Sequence, residues 1–222
     1  MGRTRNLTAN DGHRLGAYEA APQGAARGAL VVVQEIFGVN AHIRGVADGY
    51  AADGYHVIAP ALFDRVRPGI ELGYTDADIA EGRKIRGEVT FDQALADVDA
   101  AKLAFGGSGK VGIVGYCWGG TVTWLAASRL DGFSAAASYY GGGIGQFASE
   151  HPRCPTLCHF GEKDQAIPLH EVEAVRRENP DVQVFMYPAG HGFNCEARGS
   201  FDASSAALAR RRTLEFFGKH LR

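Results

Sequence analysis

Val111-Gly112-Ile113-Val114-Gly115-Tyr116-Cys117-Trp118-Gly119-Gly120 reads as a strand that runs into a sharp turn and then a helix. A short apolar run of this kind fits a strand buried on both faces. The central residue of such a turn is strained and projects its side chain outward. Side chains two positions before and after it would collide with the neighbouring strand and helix. Gly115 and Gly119 occupy those two positions. Cys117 then stands at a helix N-terminus, where the helix dipole favours thiolate over thiol. The glycine spacing of a dinucleotide-binding turn is absent here, as is the lysine of a phosphate loop. A buried structural cysteine in a glycine-rich turn is the plainer alternative.

Outward from this turn, apolar runs alternate with helix-type runs. Strands are expected at 4–8, 14–20, 29–34, 55–59, 111–115, 134–139, 156–160 and 182–187. The first two bracket Asn10-Asp11-Gly12, a hairpin turn signal. Helices are expected at 42–53, 76–86, 90–105, 119–130, 168–178 and 202–220, with Pro168 in the first turn of its helix. Strand–helix alternation predicts an α/β fold: about eight strands, mostly parallel, with helices on both faces. No repeat or linker divides the chain, so residues 1–222 are expected to form a single domain. In such sheets the binding crevice lies beyond the carboxyl ends of the strands.

Composition bounds the function. The chain has 222 residues, of which 45% are hydrophobic and 22% charged, as in ordinary globular proteins. A net charge of −2 offers no electrostatic case for nucleic acid or an anionic membrane as partner. The longest strongly apolar stretch, residues 29–33, is too short to span a bilayer. The N-terminal residues show no apolar segment of signal-peptide length. Four cysteines in a chain this long do not make a disulfide scaffold, so free thiols in the cytoplasm are expected. Metal and cofactor are not implied, because no ligand-spacing motif or phosphate loop appears. Thirty glycines are about twice the average share, and many fall at strand exits.

A nucleophilic cysteine needs a base, and the base needs an orienting acid. Of eight histidines, His191 follows the last strand in Gly190-His191-Gly192, facing the crevice. His159 lies inside a strand and reads as a packed core residue. Asp164 follows the seventh strand, in Phe160-Gly161-Glu162-Lys163-Asp164. The order Cys117, Asp164, His191 is the nucleophile–acid–histidine order of α/β-hydrolases. After the third strand, Gln34-Glu35-Ile36-Phe37-Gly38 occupies the loop that supplies an oxyanion N–H in that fold. Ile36 and Trp118 are the candidate donors. Glu35 is a charge at the end of a buried strand, which requires a partner. An arginine or the Cys117 thiol could serve.

Together these stretches, with Tyr139-Tyr140-Gly141 and His191-Gly192-Phe193-Asn194, resemble the dienelactone hydrolase family over almost the whole chain. The resemblance implies an α/β-hydrolase fold and a catalytic Cys117–His191–Asp164 triad. It also implies a resting contact between Glu35 and the thiol. The reaction it implies is opening of a carboxylate-bearing enol lactone, dienelactone, to maleylacetate, without a cofactor. A small anionic lactone or ester as partner calls for cationic contacts, and arginine forks suit a carboxylate. Arg83 and Arg198 are the candidates, with Tyr140 and Phe37 as further substrate contacts. Arg65, Arg67 and Arg86 also fall near the crevice in sequence order. The best-known members carry an arginine four residues after the histidine, where this chain has Cys195. Rival readings are a cysteine esterase or thioesterase for another ester, a peroxide-reactive thiol, and a silent binding protein. A monomer or weak homodimer is expected.

Overall fold

A computed structural model describes residues 2–107 and 109–222. Its eight strands are Arg3–Thr8 (β1), Arg14–Ala20 (β2), Ala29–Val33 (β3), His56–Pro60 (β4), Val111–Tyr116 (β5), Phe133–Tyr139 (β6), Thr156–Gly161 (β7) and Gln183–Tyr187 (β8). All eight join one sheet in the order β1-β2-β4-β3-β5-β6-β7-β8. β2 pairs antiparallel with β1 and β4, and every other pairing is parallel. The expected antiparallel hairpin is thus the start of an otherwise parallel sheet. Every residue of β3, β5 and β7 is buried, which accounts for their near-continuous apolar character. Most exposed strand residues lie at the edges, in β1 and at the start of β8, with Arg14 at the start of β2 the other one.

The helices are Ala41–Ala52 (α1), Asp76–Glu88 (α2), Phe91–Leu103 (α3), Trp118–Arg129 (α4), Leu169–Glu178 (α5) and Ala203–His220 (α6). Two of them open with capping boxes, Thr75 with Asp78 and Thr90 with Gln93. Gly112 and Gly115 point to opposite faces of β5 because side chains alternate along a strand. A Cβ on Gly112 would meet Phe217 and Leu221 at the end of α6; one on Gly115 would meet Gly119 and Thr123 of α4. Helices α6 and α4 therefore cover opposite faces of the sheet, which is the expected layering.

Two details differ from the sequence reading. Pro168 is the N-cap rather than a first-turn residue: its ψ of 142° is extended, so the helix begins at Leu169. Short 3-10 turns at Leu62–Arg65 and Ile144–Phe147 add to the six helices. Each has only four residues, too few to show a hydrophobic period. The second explains part of the glycine crowding after β6. Gly143 caps it in the left-handed region, at φ 91°.

The crossover from β3 to β4 runs toward one edge of the sheet, whereas that from β5 to β6 runs toward the other. The direction changes between β3 and β5. A crevice opens at such a switch point, beyond the strand ends. Glu35 and Ile36 follow β3, and Cys117 follows β5, so both flank it.

Candidate active site

Cys117 has φ 54° and ψ −122°, a region that costs a side-chain-bearing residue on the order of 1–3 kcal/mol. The surroundings hold it there. Its N–H donates to the Tyr139 carbonyl at 3.0 Å, and its own carbonyl accepts from Gly120 N–H at 2.9 Å. A Cβ on Gly115 would lie 2.0 Å from the Gly119 carbonyl oxygen, and one on Gly119 would lie 2.3 Å from that of Gln34. Those contacts are with backbone, which cannot swing away. The glycines two residues either side of Cys117 are therefore steric requirements of the turn.

His191 and Asp164 arrive from the loops after β8 and β7. His191 Nδ1 donates to Asp164 Oδ2 at 2.8 Å, since a carboxylate can only accept. The other ring nitrogen, Nε2, lies 3.1 Å from Cys117 Sγ. Asp164 is itself held by Ala166 N–H, which donates to Oδ1 at 2.8 Å. The His191 carbonyl accepts from Ser200 Oγ at 2.6 Å. Burial works against a charged ring here. The charge of the Cys117 sulfur and the hydrogen bond to Asp164 outweigh it and push His191 up to about 10. The direction favours a protonated ring wherever the sulfur carries negative charge.

Glu35 is buried, with 1% of its surface exposed. Its Oε1 accepts from Arg198 Nη1 at 3.3 Å, while the thiol faces His191 instead. The contact between Glu35 and the thiol implied by the resemblance is thus replaced by an ion pair with arginine. Arg198 lies three residues beyond Cys195, and its Cζ sits 5.7 Å from the Phe37 ring centre. Trp118 opens α4, and Ile36 flanks the sulfur from the β3 side. Among the described residues neither backbone N–H has a protein acceptor, so both remain available.

A cavity of about 400 Å³ opens over the sulfur. Ile36, Phe37, Arg83, Arg198, Cys117 and His191 contribute to its wall. Ile79 and Arg86, not selected as substrate contacts from the sequence, line it as well. Their signal was present: Ile79, Arg83 and Arg86 are spaced four and three apart on α2, so they share one helix face. Two other arginines do not reach the cavity. Arg65 is held by Asp97 of α3 through Nε at 3.0 Å and Nη2 at 2.7 Å. Arg67 is exposed and follows a 3-10 turn. Tyr140 is fully buried and does not line the wall; its ring lies 5.2 Å from that of His191, supporting it from behind. A larger cleft of about 570 Å³ lies between the start of β7 and the end of α6, away from Cys117.

The family model that matches the chain, over residues 15–221, is the dienelactone hydrolase family. The chain belongs to this family. A carboxymethylenebutenolidase of Pseudomonas putida is 33% identical, covering 95% of this chain and 94% of its own length. A Synechocystis protein provisionally given the same name is 35% identical, covering 96% of this chain and 95% of its own. A solved structure of a provisionally assigned dienelactone hydrolase from Klebsiella pneumoniae superimposes with a TM-score of 0.85 at 30% identity. It covers 99% of both chains. The fold is accordingly that of an α/β-hydrolase, and this member of the family is a carboxylic ester hydrolase.

Proposed function

We propose that this hydrolase opens a carboxylate-bearing enol lactone of the dienelactone type, yielding maleylacetate, with Cys117, His191 and Asp164 as its catalytic triad. One observation carries the reading: the Asp164–His191–Cys117 line, at 2.8 Å and 3.1 Å, opens into a cavity walled by three arginines. The substrate carboxylate docks against Arg83, Arg86 and Arg198. The Cys117 thiolate attacks the lactone carbonyl. Ile36 and Trp118 N–H groups donate to the oxyanion, a contribution that is often the largest single catalytic one. The C–O bond breaks, and His191 gives its proton to the leaving enolate oxygen.

Acylation then changes the histidine. The sulfur has lost the negative charge that raised the ring, while burial, which lowers it, remains. A now neutral Nε2 takes a proton from water, and hydroxide adds to the thioester. Collapse of that adduct expels the thiolate and restores the starting pair. Asp164 keeps the ring oriented throughout. Glu35 holds Arg198 at the cavity wall, and an incoming carboxylate competes with it for that guanidinium.

Replacing Cys117 with alanine should abolish turnover of dienelactone while circular dichroism stays unchanged. Retained lactonase activity in that variant would overturn the assignment. The finer choice of substrate is tested by comparing dienelactone with neutral p-nitrophenyl esters. An anionic-lactone enzyme shows the larger kcat/KM on the lactone, whereas a general cysteine esterase or thioesterase reverses that order. Four free cysteines suit a reducing, cytoplasmic setting. We also infer a monomer or weak homodimer, to be checked by sedimentation velocity.

A further inference from the structure

Behind Glu35 stands a cluster of which the proposed reaction uses only Glu35, through its contact with Arg198. Glu35, His42 and Cys195 each offer one ligand atom, and these atoms lie within 4.8 Å of one another. They come from the loop after β3, from α1 and from the loop after β8. All three are buried, at 1%, 6% and 0% exposure. Two polar atoms there, Glu35 Oε2 and His42 Nε2, have no hydrogen-bond partner. A buried unpartnered polar atom is costly, so a cluster with two of them favours an occupant.

The histidine is set for a particular kind of occupant. His42 Nδ1 lies 3.1 Å from the Glu196 carboxylate, which can only accept. Nδ1 therefore carries the hydrogen, and Nε2 presents a lone pair. A carboxylate behind the ring is the arrangement that orients metal-bound histidines. Glu35 is likewise held through its other oxygen, by Arg198. A nitrogen, an oxygen and a sulfur donor together suit a borderline-soft d10 ion and not magnesium or calcium. Thiolate and carboxylate together carry two negative charges, and Arg198 offsets one of them, so the site keeps a net attraction for a cation.

We propose that Glu35, His42 and Cys195 form a binding site for a thiophilic divalent cation of the zinc type, with Glu196 orienting His42. Three protein ligands leave a fourth position open, as in non-structural zinc sites. On binding, a bond forms between the cation and Cys195 Sγ, and the thiol proton passes to solvent. No electron is transferred.

Cobalt(II) is the probe, because its bond to a thiolate gives a charge-transfer absorption in the near ultraviolet. The Cys117→Ala protein is the background, so that the sulfur beside His191 cannot contribute. Titration should give this band at one equivalent, and zinc should displace it. The band should disappear in Cys117→Ala/Cys195→Ser. Glu196→Gln alters an exposed side chain and should weaken cobalt affinity by about 10–100-fold. It keeps the test decisive if the Cys195 variant does not fold. Absence of the band in the Cys117→Ala background, its survival without Cys195, or unchanged affinity in Glu196→Gln would each overturn the proposal and leave a water-filled cluster. The readout is absorption, so none of these outcomes bears on lactone hydrolysis.

Discussion

At the scale of single residues, the proposed chemistry depends on how His191 is charged. Its ring is pushed up to about 10 by the sulfur and by Asp164, against the effect of burial. Under the proposed mechanism the acylation rate should fall as pH rises toward 10, where the ring loses the proton it would donate. Single-turnover measurement of lactone opening checks this. Replacing Asp164 with asparagine removes the acceptor at 2.8 Å and allows the wrong ring tautomer. A fall of roughly 10²–10⁴ in kcat is expected, with little change in KM. Arg198→Ala acts on the other term. It removes a cavity-wall cation and also strands Glu35, so KM for an anionic lactone should rise far more than KM for a neutral ester.

Elements hold these residues through local rules and backbone contact. The turn between β5 and α4 has no room for a side chain at Gly115, where a Cβ would sit 2.0 Å from a carbonyl oxygen. Gly115→Ala should therefore lower stability and displace the proposed nucleophile together, seen as a lower melting temperature and lost burst amplitude. Helix α2 carries Ile79, Arg83 and Arg86 to the cavity, and its first turn is fixed by Thr75 and Asp78. Thr75→Ala should cost about 1 kcal/mol. For a chain of this length that is a fall of about 2–4 °C in melting temperature. The strands and helices were legible because period and capping are local properties. The two 3-10 turns were not, since four residues leave no period to detect.

On the scale of the whole molecule, a buried polar network ties the sheet to α6. Thr213 Oγ1 donates to the Ala209 carbonyl and accepts from Tyr139 Oη and His159 Nε2. His159 Nδ1 in turn accepts from Tyr187 Oη at 2.7 Å. The network links β6, β7 and β8 to one helix and keeps the ring neutral. Burial, helped by Arg212, lowers His159 from 6.5 to about 3. The unfolded chain therefore binds a proton that the folded chain refuses between these two values. Stability contributed by this site is full above 6.5 and is lost as pH falls toward 3. The slope is about 1.4 kcal/mol per pH unit, measurable by urea unfolding across that range.

The sequence by itself determined the α/β alternation, the turn at Cys117, and the order in which Cys117, Asp164 and His191 follow their strands. Each follows from spacing within one element or from position after a strand, and neither needs distant contacts. It could not determine which arginines face the cavity. Arg65 and Arg83 look alike in sequence, yet only the folded chain sets one against Asp97 and the other over the sulfur. Nor could it decide the partner of Glu35. Arg198 is 163 residues away in the chain, and His42 and Cys195 meet beside Glu35 without any motif spacing. Such meetings depend on how the loops after β3 and β8 converge with helix α1, which is a property of tertiary packing alone.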